Sequence, residues 1–151
     1  MINVILYCPE IPQNTGSIGR ICAFAGCRLH LIHPLGFEIT DKYLRRAGMD
    51  YWETLDLFEY KNWNDFLISS NRPKKIHLFT THATQTLWDT RFSKDDGLLF
   101  GNEGKGVPEE VHKWANCDRV TIPKYNEGLR SLNLAVSVGI ATYEAIRQIN
   151  S

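Results

Sequence analysis

Two apolar runs decide the fold: Ile2-Asn-Val-Ile-Leu-Tyr7 and Arg28-Leu-His-Leu-Ile-His33. Both are short, and the first is rich in β-branched residues, so each reads as a buried strand. Pro9 and Pro12 break the first run and Pro34 stops the second. Between them Ile18, Ile21, Cys22 and Ala25 recur at i, i+3, i+4 and i+7, which is one face of a helix. Asn14 or Thr15 is the expected cap of that helix. Gly26 is its expected left-handed terminator. Strand, helix and strand within so short a span make a βαβ unit, and a βαβ unit demands a parallel sheet.

Outward from this unit the signals weaken and then recover. Thr40 is a candidate cap for a short helix over 41–47. A strand is expected near 55–59, and a helix starting at Asn62 or Asn64 that ends before Pro73. Residues 75–81 read as a strand, 83–96 mostly as loop, and Gly97-Leu-Leu-Phe-Gly101 as a short buried strand. Pro108 at a first helical position, with Glu109 and Glu110 in the first turn, opens a helix to about Ala115. A strand is expected over 119–122, then a polar loop over 124–130. Ser131 or Asn133 then starts a helix running to Ile149. This last helix carries two apolar stripes. One holds Leu132, Val136, Ile140, Tyr143 and Arg147, the other Leu134, Val138, Ala141, Ala145 and Ile149. One stripe serves a core; the second implies a partner surface, most simply a homodimer.

Composition narrows the class. The 151 residues carry 17 Lys plus Arg against 17 Asp plus Glu, a formal charge of zero. There is no global basic field to attract nucleic acid, so any such binding must use local clusters. The longest uncharged stretch near the C-terminus, Ser131 to Tyr143, is 13 residues, short of the roughly 18–20 needed to span a bilayer. The first basic residue is Arg20, so a charged leader is missing and a cytoplasmic location is expected. Cys8, Cys22, Cys27 and Cys117 lie in apolar surroundings and read as reduced packing residues. No internal repeat or linker divides the chain, so one domain over 1–151 is expected.

Metal and hydrolase chemistry find little support. His30 and His33 sit three apart on a strand and point to opposite faces. No Cys-x-x-Cys, His-Glu-x-x-His or Gly-x-Ser-x-Gly occurs. The loop Gly101-Asn-Glu-Gly-Lys-Gly-Val-Pro108 is not a Walker A loop, because Val107 follows Gly106 where Ser or Thr would be needed. It does offer unhindered backbone after a strand, and Phe79-Thr80-Thr81 and Ile122-Pro123 end two other strands. Loops at the C-terminal ends of parallel strands are where open α/β sheets bind ligands. The pattern therefore points to a nucleotide-like ligand at that edge.

Three segments taken together resemble the SPOUT class of RNA methyltransferases. They are Pro12-Gln-Asn14-Thr-Gly16-Ser-Ile-Gly-Arg20; Leu98-Leu-Phe-Gly101-Asn-Glu103-Gly104-Lys-Gly106-Val-Pro108; and Ile122-Pro123 followed by Arg130-Ser131-Leu132-Asn133-Leu134 and Tyr143-Glu144-Ala145. The likeness covers essentially the whole chain, with the segments in the class's order. The short length, the opening Leu6-Tyr-Cys-Pro-Glu-Ile-Pro-Gln-Asn-Thr-Gly16 and Leu31-Ile-His-Pro-Leu-Gly36-Phe37 are similar to its minimal branch, which methylates the ribose of the tRNA wobble nucleotide.

The resemblance implies a Rossmann-like α/β sandwich with a C-terminal trefoil knot, S-adenosylmethionine as cofactor, and a homodimer whose site uses both subunits. It implies cofactor contacts from Phe79, Thr80, Gly101, Asn102, Glu103, Ile122, Ser131 and Leu132. It implies catalytic roles for Arg20, Asn14, Ser131 and Asn133. A guanidinium stays protonated, so Arg20 is expected to clamp a phosphate or to stabilise the developing alkoxide. The residues themselves leave a plainer reading open, in which Asn14 and Ser131 are helix caps. Lys42, Arg45, Arg46 and Arg130 are the expected RNA contacts, with Lys124 beside the last. Tyr43, Tyr51, Trp52 and Tyr125 are candidates to stack an exposed base of the tRNA anticodon stem-loop. The expected activity is 2′-O-methylation of a wobble cytidine or uridine, in leucine tRNAs. The alternatives are a noncatalytic RNA-binding or assembly factor of the same fold, and a flavodoxin-like nucleotide-binding module.

Overall fold

A computed structural model of the chain describes residues 1–40, 42, 50–114 and 117–151. The opening βαβ unit forms as the sequence predicts: β1 (Asn3–Tyr7), α1 (Pro12–Ala25) and β2 (Arg28–Ile32). Gly26 ends α1 at φ 70°, and its N–H donates to the Cys22 carbonyl. The expected caps do not cap, however. Ile11 occupies the N-cap position without a side-chain bond, and Asn14 and Thr15 lie inside the first turn. Pro12 is the reason. Its fixed φ suits a first helical position, so the helix starts three to four residues earlier than the polar side chains suggest.

A 3-10 turn (Asp50–Thr54) leads to β3 (Leu57–Tyr60), and α2 (Trp63–Ile68) follows. The Asn62 side chain caps α2 by accepting from the Asp65 N–H at 2.8 Å. Next come β4 (Ile76–Phe79), a 3-10 turn (Leu87–Asp89), β5 (Gly97–Phe100), α3 (Glu109–His112), β6 (Cys117–Val120) and α4 (Leu134–Ile149). The helix expected after Pro108 is one turn long, with Pro108 as its N-cap. Strand β6 starts and ends two residues earlier than expected. The helix expected over 41–47 lies outside the described residues, apart from Lys42.

The six strands form one sheet in the order β3-β2-β1-β5-β4-β6, and every neighbouring pair is parallel. Strand alternation divides the side chains between two cores. Val4, Leu6, Leu29, Leu31, Leu98 and Phe100 face α1 and α4, where Ile18, Cys22, Val138, Ala141 and Ala145 meet them. Ile5, Ile32, Ile76, Leu78 and Leu99 face the opposite layer, which Trp63, Phe66 and Val111 fill. The two stripes of the last helix separate as read: Val138, Ala141 and Ala145 are fully buried, whereas Leu132, Val136, Ile140 and Tyr143 are exposed. All four cysteines are free thiols. Among the described residues no helix is long and apolar enough to cross a membrane, and no group of metal-ligating side chains assembles.

A buried polar chain crosses β3, β2 and β1. His30 is fully buried. Its Nδ1 lies 2.8 Å from the Tyr60 hydroxyl and its Nε2 2.8 Å from Asn3 Oδ1. Asn3 Nδ2 donates to the Asp95 carbonyl, so Asn3 Oδ1 is the acceptor and His30 Nε2 carries the hydrogen. The ring is thereby satisfied in its neutral form. Burial, reinforced by Arg28, pushes its pKa down to about 4. Between pH ~6.5 and ~4 the unfolded chain binds a proton at this residue that the folded chain refuses, so stability falls as pH falls. At about 1.4 kcal/mol per pH unit, the loss reaches roughly 3 kcal/mol over that window. Urea denaturation at about pH 7 and about pH 4.5 checks this. His30→Gln, which does not titrate, is expected to show a markedly smaller acid loss than the parent, and an equal loss would remove His30 as its source.

Candidate active site

Strands β5, β4 and β6 are adjacent and parallel, so the segments that leave their C-terminal ends emerge side by side. Thr80, Gly101 and Ile122 stand at these exits, all half-buried. The segments pair with one another as well. The Thr80 N–H donates to Val120, Thr121 donates to Gln85, and Leu87 donates back to Thr121. Beneath them the ring of Phe79 stacks on Phe100, with centroids 4.9 Å apart, and on Phe92 at 6.4 Å. Phe79, Thr80, Gly101 and Ile122, separated widely in sequence, thus share one edge above an aromatic floor.

The loop after β5 is a closed turn. The Asn102 and Gly106 backbones exchange two hydrogen bonds of 2.9 Å. Asn102 Oδ1 accepts from the N–H groups of Gly104 and Lys105, and its Nδ2 donates to the Cys8 carbonyl at 2.7 Å. A Cβ on Gly101 would meet the Gly106 backbone at 2.5–2.9 Å, and Gly106 itself adopts φ +66°. Both glycines therefore serve the loop's own closure. Backbone and side chain of Asn102 are thus both engaged, within the loop and with Cys8 just past β1.

Glu103 is engaged within the chain itself. Its carboxylate reaches the start of α1, where Oε1 accepts from the Glu10 N–H and Oε2 from the Ile11 N–H, each at 2.8 Å. This supplies the anionic partner that the N-terminus of α1 lacks locally. Oε2 also lies 3.4 Å from Asn14 Nδ2. Asn14 Oδ1 in turn accepts from Asn133 Nδ2 at 3.1 Å, and Asn133 Oδ1 caps α4 by accepting from the Val136 N–H. Glu103, Asn14 and Asn133 form one hydrogen-bonded chain that ties the β5 loop to the first turns of α1 and α4. The cap of α4 is thus Asn133, and Ser131 lies two residues before it, exposed.

Arg20 does not join this group. Six residues beyond Asn14, it stands about 9 Å along the helix axis and roughly 120° around it. It is exposed, and its guanidinium lies 5.8 Å over the Tyr51 ring, while the Tyr51 hydroxyl donates to the Gly16 carbonyl. Leu132, Lys42 and Arg130 are exposed. Arg45, Arg46 and Tyr43 lie outside the described residues. Trp52 is buried at 7% exposure, with its ring against Gly19, so it is core and not a base-stacking surface. Tyr125, by contrast, is 84% exposed.

Two features have no clear signal in the sequence. A cavity of about 450 Å³ opens between the ends of β1 and β2 and the far side of the β5 loop, lined by Tyr7, Cys8, Leu35, Gly36, Asn102 and Val107 among others. Trp88, in a segment read as loop, is 59% exposed. Its Nε1–H donates to the Tyr125 hydroxyl at 3.1 Å.

The carboxylate bridge makes a testable demand. Glu103→Gln keeps the size but removes the charge and one acceptor oxygen. Charge-assisted bonds to backbone amides contribute on the order of 1.5–3 kcal/mol, so a loss of about 2 kcal/mol in denaturant unfolding is expected. An unchanged midpoint would show that solvent satisfies the α1 amides equally well.

The geometry can be set beside known proteins. The model of the SpoU rRNA methylase family matches residues 1–143. The chain is 42% identical over 149 residues to the tRNA (cytidine(34)-2′-O)-methyltransferase of Saccharophagus degradans, covering 99% of this chain and 96% of that one. A structure solved for insight into the 2-OH methylation of C/U34 on tRNA superposes with a TM-score of 0.89 at 44% identity, covering 98% of this chain and 95% of the other. An AdoMet-bound rRNA methyltransferase from Sinorhizobium meliloti superposes with a TM-score of 0.85 at 26% identity, over 99% of this chain and 57% of that longer one. With its parallel six-stranded α/β sheet and the segments that converge on its edge, the chain belongs to the SpoU rRNA methylase family.

Proposed function

We propose that this protein transfers a methyl group from S-adenosylmethionine to the ribose 2′-oxygen of the wobble nucleotide of tRNA, a cytidine or uridine, with leucine tRNAs as the substrates. The observation that carries the reading is the convergence of the three motif segments. The exits of β5, β4 and β6 share one edge, and Glu103, Asn14 and Asn133 join the β5 loop to both helix N-termini. The near-full-length likeness to relatives named for that reaction supports the choice of substrate.

The residues present fit the cofactor. Half-buried backbone at Thr80, Gly101 and Ile122, above the Phe79–Phe100 stack, suits a flat heterocycle whose edge seeks backbone partners. When bound, S-adenosylmethionine supplies a methyl group on a positively charged sulfur, so its leaving group is already activated. The protein's task is then to align the 2′-oxygen in line with that methyl and to exclude water. Ser131 and Asn133, at the entrance to α4, hold the ribose hydroxyl. Arg20 neutralises a phosphate next to it or the charge that grows on the oxygen.

Arg20 stands well away from Asn14 and Asn133 within one chain, which supports a site completed by a second copy. The exposed stripe Val136, Ile140 and Tyr143 on α4, with Phe24 on α1 at 85% exposure, is an apolar surface suited to a two-fold homodimer. We infer further that the chain is one cytoplasmic domain with a C-terminal trefoil knot. Strand β6 lies at the sheet's edge, whereas α4 packs beside α1 and β5, so the segment 121–133 must cross back over the strand ends.

Methyl transfer from labelled S-adenosylmethionine to tRNA lacking the modification, followed by nucleoside analysis, tests the activity. A 2′-O-methylated pyrimidine at the wobble position is expected. Cofactor binding without transfer to any RNA would favour a noncatalytic RNA-binding factor. Arg20→Lys keeps the charge but loses the planar fork, and kcat is expected to fall about 10²-fold; near-parent activity would sink the bidentate role. Val136→Asp places a charge in the proposed interface, and sedimentation should show a monomer in place of a dimer.

A further inference from the structure

We propose that Trp88 and Tyr125 form a stacking platform for an unpaired base of the RNA substrate; the inference rests on the tRNA reading above. The two residues come from different segments, Trp88 from the 3-10 turn after β4 and Tyr125 from the loop after β6. They are 59% and 84% exposed, and a hydrogen bond from Trp88 Nε1 to the Tyr125 hydroxyl joins them. Two large aromatic rings held at the surface leave considerable apolar area in water, which marks a surface with a partner. The bond uses the indole N–H, the only polar group of the Trp88 side chain, so what Trp88 has left to offer is ring face.

The placement points to a nucleobase. The segments that carry the two rings are stitched together directly below them, by the bonds between Leu87 and Thr121 and between Thr121 and Gln85. Leu87, fully buried, anchors the turn that presents Trp88. The platform is therefore pre-ordered and loses little conformational freedom on binding. Tyr125 stands two to three residues beyond Pro123 and Ile122, and Trp88 eight beyond Thr80, outside the edge proposed to take the cofactor. Lys124 and Arg130, both exposed, flank Tyr125 in the same loop. Asp89 and Glu127 offset them, so the surface is not a phosphate trap. A chain with zero net charge has no overall basic field to draw in the backbone of RNA, and base stacking is a contribution that needs none. Every base has a ring face, so such a platform serves single-stranded loops without reading sequence.

The test measures binding of a tRNA transcript to the full-length protein saturated with S-adenosylhomocysteine, alongside the KM for S-adenosylmethionine. Trp88→Ala is expected to weaken tRNA binding about tenfold, with the KM for the cofactor unchanged and the slope of log Kd against log salt unaltered. Trp88→Phe loses the hydrogen bond but keeps a ring, and is expected to retain most of the affinity. Equal weakening by Phe and Ala would make the hydrogen bond, and not the ring face, the working part, and would overturn the proposal. A raised KM for the cofactor with undiminished tRNA affinity would also overturn it, identifying the pair as a seal over the cofactor. Parent protein that binds no tRNA would refute the tRNA reading itself, whereas parent and Trp88→Ala binding equally well would refute only the platform.

Discussion

Parallel pairing is the constraint from which the rest of this structure follows. Every strand pair runs in the same direction, so no tight hairpin can join neighbours and each connection must cross back over a face of the sheet. Both faces are consequently covered, which is why strands such as β1 and β5 read as continuous apolar runs and not as alternating ones. It also sends every strand exit to the same edge. The segments after β4, β5 and β6, which leave at Phe79, Phe100 and Val120, meet there because the sheet gives them nowhere else to emerge.

An edge of loops is soft unless something ties it down, and Glu103 is the tie. A carboxylate at the start of α1 offsets the helix dipole and satisfies the amides of Glu10 and Ile11, through which the chain enters the helix. The bonds from Asn14 to Glu103 and from Asn133 to Asn14 extend this to α4. The free energy spent in closing the site is thereby recovered as helix capping, and the loop cannot move without uncapping α1. This gives Glu103 a positioning role that its place in a glycine-rich loop does not suggest.

The protein handles its remaining surface by shape more than by charge. Equal numbers of acidic and basic residues leave no long-range field. What it presents are apolar features: the Val136–Ile140–Tyr143 stripe of α4 with Phe24 of α1, and the Trp88–Tyr125 pair at the edge. Exposed area of this kind is costly in water, and its two locations correspond to the two partners proposed, a second copy and an unpaired base.

The opening βαβ unit, the parallel sheet and the last helix were legible in the sequence because they depend on local periodicity. Apolar runs, an i, i+3, i+4 pattern and Gly26 carry their meaning within a few residues. The two faces of α4 were legible for the same reason, and so were the three strand exits, since parallel strands leave little freedom in where loops go. The helix start at Ile11 was less so: the polar residues Asn14 and Thr15 advertised caps, but Pro12 set the first turn earlier. Contacts between distant segments lay beyond the sequence's reach. That Glu103 caps α1, that Asn14 meets Asn133, that Trp88 bonds to Tyr125 and that Arg20 stands over Tyr51 all depend on which strands become neighbours. Strand order is not written in any one segment; it emerges when two apolar faces are buried at once, and only the tertiary structure decides it.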